Sequence, residues 1–246
     1  MEQHRTHYGI DAPMVPIVYV LVGCGALFIS IIELIHDQKS GYWILIYALF
    51  MLIGAGFHLH TSLRGKFFIW GNVFAKLRLP ENARILDLGC GHGAVLIKAA
   101  KFLGGSGEAV WVDLWRKVDQ SGNDMHATEK NALIENVSNK IQLITADMTE
   151  LPLQDESFDF IFSSLAIHNI KSKEGRDHAL REATRVLKPG GTLIIVDISK
   201  TKEYMRTLQS LPFKNLSRQN TGWIGWWTGP WLSTYLIKAT KAKINS

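Results

Sequence analysis

The sequence predicts an α/β domain, a parallel sheet covered by helices on both faces, preceded by two helices long enough to cross a membrane. Three observations predict it. Two apolar runs with almost no charge fill most of the first 60 residues. An apolar, β-branched segment then runs into a glycine-rich turn, ILDLGCGHGA, at residues 85–94. From there strand-like and helix-like stretches alternate towards the C-terminus.

The bulk numbers bound the rest. A chain of 246 residues holds one large domain, or a smaller domain with an appendage. Lys and Arg total 27 against 22 acids, a net charge of +5. That excess is mild and forms no dense basic block within the domain, so nothing points to nucleic acid. The cysteines, Cys24 and Cys90, form neither a metal-ligand spacing nor a disulfide framework, which fits a reducing compartment.

The first dozen residues are polar. Residues 13–35 follow, with Glu33 as their only charge; a polar turn, HDQKSG, occupies 36–41, and a second apolar run covers 42–59. Neither run has the one-sided periodicity of a helix lying on a soluble core. Their length suits a transmembrane helical hairpin, with a helical pair buried on the domain as the alternative. Residues 1–60 are therefore assigned to the N-terminal segment and hairpin. Arg64, Lys66, Lys76, Arg78 and Arg84 follow the second run, against Lys39 alone in the turn. The positive-inside rule then makes this an integral membrane protein with both termini and the C-terminal domain in the cytoplasm.

Residues 61–80 carry Phe67, Trp70, Phe74 and Leu77 at helical spacing, flanked by basic residues. They are assigned as an amphipathic juxtamembrane helix. The same stripe suits equally a first helix of the domain, packed on its core. Pro80 ends it, and the domain is placed at 81–246. Within it, 85–88 is a buried strand, 89–94 the turn and 95–103 a helix. Strands are expected at 109–112, 141–144, 157–163, 192–197 and 235–239, and helices at 127–136, 174–187 and 202–211. Between the last helix and the last strand lies an irregular, Trp-rich tail.

The glycines Gly89, Gly91 and Gly93 let the backbone turn sharply and approach a ligand with no Cβ in the way. They are not the G-x-G-x-x-G of dinucleotide folds, because the third falls one residue early and Ala94 takes its place. The set LDLGCGHG, VDL, TADMTELP, SFDFIFSSLAIHNI and RVLKPGGTLIIVD resembles the class I S-adenosylmethionine (SAM) methyltransferases of the type 11 kind. The resemblance implies a Rossmann-like sheet, SAM as cofactor and S-adenosylhomocysteine as product. It implies a cofactor site at Asp87, Gly89, Cys90, Gly91, Gly93, Asp113, Leu114, Ala146, Asp147, Met148 and Ser163. Asp113, at the end of the second strand, would accept both ribose hydroxyls. Asp147 would meet the adenine amino group, with Met148 beside the ring.

Methyl transfer from a sulfonium is an in-line displacement, so the enzyme's work is alignment and exclusion of water. A base is needed only for an acceptor that arrives protonated. His168, just past the fourth strand and beside Asn169, is the catalytic candidate. Asp197, Tyr8 and His7 are weaker ones. No metal is expected. Trp223, Trp226, Trp227 and Trp231, with glycines between them, suit a lid or hairpin tip at a membrane interface, or else core beneath the sheet.

These readings converge on a membrane-anchored methyltransferase for a lipophilic small molecule: a lipid, quinone, phenol or thiol. The alternative is a membrane-anchored SAM-binding adaptor without turnover. Quinone C-methyltransferases carry D-x-N after the second strand, whereas this chain has Asp113-Leu114-Trp115. Arsenite methylation lacks the cysteines it would need.

Overall fold

Strand β1 (Arg84–Leu88) is apolar apart from Arg84 and Asp87, and every residue after Arg84 is buried. A strand of that kind is stable only with helices on both faces. The computed structural model describes residues 8–89, 91, 93–115 and 124–243, and it places β1 inside a seven-stranded sheet of order β3-β2-β1-β4-β5-β7-β6. The other strands are β2 (Glu108–Asp113), β3 (Ile141–Thr145), β4 (Phe158–Ser164), β5 (Leu187–Asp197), β6 (Phe213–Asn220) and β7 (Tyr235–Lys241). The first five are mutually parallel. β7 runs antiparallel to both β5 and β6, so the sheet is mixed where a parallel one was expected.

Alternate residues of the strands feed two cores. On one face Ile85, Ala109, Trp111 and Phe162 meet helices α3 (Lys66–Lys76), α4 (Ala94–Ala100) and α5 (Met125–Ile134). On the other, Leu86, Val110 and Ile161 meet α6 (Lys173–Val186) and α7 (Thr201–Gln209). β5 begins at Leu187, so the Lys188–Gly191 stretch that reads as a helix end is already strand. β6 was not foreseen: its sequence, FKNLSRQN, has no apolar alternation, because an edge strand protects itself with charged and polar side chains.

Helices α1 (Met14–Ile35) and α2 (Ser40–His60) form an antiparallel pair. Small residues let them approach: a Cβ on Gly23 would lie 2.8 Å from Leu52, and one on Gly41 2.7 Å from Leu34. Ser30 Oγ donates to the Gly41 carbonyl at 2.8 Å, and Ser40 Oγ to Glu33 at 2.6 Å, closing the polar end. Most of the large apolar side chains face outwards, with Leu21 67%, Phe28 66% and Trp43 75% exposed. Both helices are long and apolar enough to cross a membrane by length and composition.

α2 does not stop at the domain. A π-helical turn, Thr61–Gly65, joins it without a break to α3, so one helical rod runs from Ser40 to Lys76. The apolar stripe of α3 is core: Ile69, Trp70 and Phe74 are buried against Phe162 and α4. The tryptophan segment between β6 and β7 packs on this rod. Trp231 stacks on Phe50 at 5.1 Å between centroids, Trp226 meets Phe57 edge-on at 5.4 Å, and Trp227 and Trp223 lie against His58 and His60. Thr61 Oγ1 donates to the carbonyls of Ile224 and Trp226. Gly65 is what permits this, since a Cβ there would collide with the Ile224 carbonyl. Trp227 is buried, whereas Trp223 and Trp231 are exposed on their outer sides.

Candidate active site

The C-terminal ends of β1 to β4 open into a cavity of about 500 Å³. Such a cleft lies where an α/β sheet binds its ligand. At its centre the chain leaves β1 through Gly89, Gly91 and Gly93, all with positive φ (72°, 52° and 82°). A Cβ at Gly89 would sit 2.2 Å from Ala166 Cβ and 3.1 Å from Met148, filling the cradle over which a ligand must pass. The turn is held from two sides. Asp113, ending β2, accepts from the Gly91 amide at 2.9 Å and from the Trp115 amide at 2.6 Å. Thr128 on α5 donates to the Gly91 carbonyl at 3.1 Å.

Past β3, one oxygen of Asp147 accepts from the amide and hydroxyl of Thr149, at 2.9 and 2.8 Å. This fixes the carboxylate at the cavity rim. Gly89, Gly91, Asp113, Leu114, Ala146, Asp147 and Met148, all expected in the cofactor site, line the cavity. Three others support it from behind. Gly93 turns the chain into α4 against the indole of Trp111, and Ser163 Oγ donates to the Leu88 carbonyl at 3.1 Å. Asp87 is fully buried under the turn. Burial pushes its carboxyl up to about 8; the nearby charge of Asp113 adds to this and the Trp111 indole opposes it. Cys90 and His7 lie outside the described residues.

His168 is not at the cavity wall. It sits on a short 3₁₀ turn, and its ring Nδ1 is 2.6 Å from Asp197 at the end of β5. The buried Asp197 also accepts from the His168 amide and from Tyr204, both at 3.2 Å. Strand position alone put His168 at the reacting centre; its ring instead pairs with Asp197, and Ser164, Ala166 and Asn169 line the cavity.

The far wall was missed by sequence reasoning. It consists of Lys66, Phe67 and Trp70 on α3, Lys98 on α4, and Asp11 from the segment before α1. Phe67 and Trp70 had a signal, their helical spacing beside basic residues. Asp11 had none, because only folding back of the N-terminal segment brings it there. Tyr8 follows the same path and packs on Phe67 at 5.3 Å.

Comparison with known proteins bears on this geometry. Residues 86–195 match the family model described as methyltransferase domain. That segment is similar to a methyltransferase domain. The glycine cradle with acidic groups at the ends of β2 and β3 fits S-adenosylmethionine, the methyl donor that this similarity implies. The chain is 32% identical over 133 residues to the sterol 4-C-methyltransferase strm-1 of Caenorhabditis elegans, covering 54% of this chain and 36% of the relative. It is 37% identical over 117 residues to the ubiquinone/menaquinone biosynthesis C-methyltransferase UbiE of Vibrio parahaemolyticus, covering 48% and 42%. The chain thus spans less than half the length of either relative. The fold of the methyltransferase domain is shared with a SAM-dependent methyltransferase from Aquifex aeolicus, at TM-score 0.53 and 19% identity over 70% of this chain and 88% of that one.

Proposed function

We propose that the protein is a membrane-anchored SAM-dependent methyltransferase acting on a lipophilic small molecule. One observation carries the reading: the cavity's far wall is the continuation of an apolar helix. The rod from Ser40 to Lys76 presents lipid-compatible residues over its first half and Phe67 and Trp70 to the cavity in its second. An acceptor dissolved in a bilayer thus has an apolar route along α2 to the site. The relatives named for sterol and quinone methylation support the same acceptor class. The basic residues after α2 support a cytoplasmic domain and cytoplasmic termini.

When bound, SAM supplies a methyl group activated on a sulfonium. The chain's own residues supply alignment and dryness. Asp113 and Asp147 fix the nucleoside end, the glycine turn holds the backbone close, and Phe67, Trp70, Leu165 and Ala166 exclude water where the acceptor arrives. Trp70 Nε1 donates to Ser164 Oγ at 2.9 Å, which keeps the indole flat against the end of β4. His168 serves as a positioning residue: through Asp197 it anchors the segment that carries Ala166 and Asn169.

The test is turnover of labelled SAM by detergent-solubilised protein, with and without a total membrane-lipid extract. Label extracted into the organic phase on addition of lipid is the expected result. S-adenosylhomocysteine binding with no lipid-stimulated turnover would overturn the acceptor class and favour an adaptor.

A further inference from the structure

The cavity is also lined by an ion pair. Lys66 Nζ is 2.7 Å from Asp11 Oδ2, and their side chains are only 9% and 18% exposed. Ser62 Oγ donates to the same carboxylate at 2.8 Å and accepts from the Asp11 amide at 2.9 Å, while His58 Nε2 lies 2.9 Å from the Asp11 carbonyl. An ammonium carries three donors, and Asp11 is the acceptor the structure gives Lys66. Both charged groups line the cavity.

Burying an ion pair is costly unless further polar partners meet it. An apolar acceptor offers none. A ligand terminus that itself bears both charges does: its carboxylate meets the ammonium and its ammonium meets the carboxylate. We infer that Asp11 and Lys66 clamp the zwitterionic amino-acid end of the cofactor, so that the segment before the first apolar helix is part of the cofactor site. The inference rests on the cofactor reading above. The make-up of the cavity wall supports it: Asp147 follows β3, Asp113 ends β2, Gly89 follows β1, and the pair lines the same cavity. The two residues also close the hairpin on itself, since Asp11 precedes α1 and Lys66 follows α2.

The experiment uses the full chain in detergent and two probes, S-adenosylhomocysteine and 5′-methylthioadenosine, which lacks the amino-acid end. In Lys66→Met, and separately in Asp11→Asn, which preserves side-chain shape if the first variant folds poorly, binding of S-adenosylhomocysteine weakens about tenfold or more. Binding of methylthioadenosine stays within about twofold. Equal weakening of both probes would overturn the clamp in favour of a purely structural pair. Unchanged binding of both, with or without a raised KM for acceptor, would overturn it too. Failure of the wild-type protein to bind either probe would refute the cofactor reading itself and the clamp with it.

Discussion

Replacing Gly93 by alanine tests the glycine turn at its stiffest point. Gly93 has φ +82°, and a Cβ there would lie 2.0 and 2.1 Å from two ring atoms of Trp111. Trp111 is fully buried at the middle of β2, between β1 and β3, and has no room to retreat. The left-handed backbone costs a non-glycine residue roughly 1–2 kcal/mol. Overpacking against a fixed ring adds about 1–3 kcal/mol. The sum, about 2–5 kcal/mol, lowers the melting temperature by roughly 4–20 °C for a domain of this size. Because the collision pushes the turn off the end of β1, cofactor affinity falls with it. The assay is thermal unfolding in detergent followed by calorimetric titration with S-adenosylhomocysteine. Gly105→Ala is the control: nothing lies within 4 Å of its Cβ, so its effect stays within about 0.5 kcal/mol. A Gly93→Ala protein that melts within about 2 °C of wild type and binds normally would refute the reasoning.

Three further outcomes are expected. Asp113→Ala weakens SAM binding more than about tenfold through loss of charge-assisted contacts, whereas unchanged affinity in a titration would remove Asp113 from the site. Asp87 is neutral in the native protein up to about pH 8 and ionises near 3.8 when unfolded. Its folded pKa is the higher one, so unfolding releases a proton in that window. Its contribution is full below about pH 4 and is lost as pH rises to about 8, with a slope up to ~1.4 kcal/mol per pH unit. Asp87→Asn removes that slope; denaturant unfolding of both proteins at pH 5 and pH 7 measures it, and parallel curves would contradict the burial argument. His168→Ala lowers kcat and leaves SAM affinity intact, because the residue holds the cavity segment through Asp197. Steady-state kinetics with full activity would leave the histidine a bystander.

Much of the fold was legible because β1 and β2 bury both faces. Ile85–Leu88 and Ala109–Val112 admit no other reading, and the acids at their ends follow from the glycine turn. β6 was illegible for the opposite reason: an edge strand with Lys214 and Arg218 spells solvent, not sheet. Asp113 and Asp147 could be placed because they sit a fixed distance from a strand. Lys66 and Asp11 could not, since 55 residues separate them and only hairpin closure brings them within 2.7 Å. His168 shows a third kind of difficulty. Sequence gives its place along the chain but not that its ring pairs with Asp197.

The unbroken helix from Ser40 to Lys76 also has a kinetic consequence. With no flexible linker between α2 and α3, the membrane anchoring proposed above would leave the domain no swivel and hold its mouth at one height and one orientation. Encounters with acceptor then become a two-dimensional search. Turnover would follow the mole fraction of acceptor in the membrane rather than its bulk concentration. Diluting the bilayer with inert lipid at constant total acceptor would slow the enzyme, as though substrate had been withdrawn.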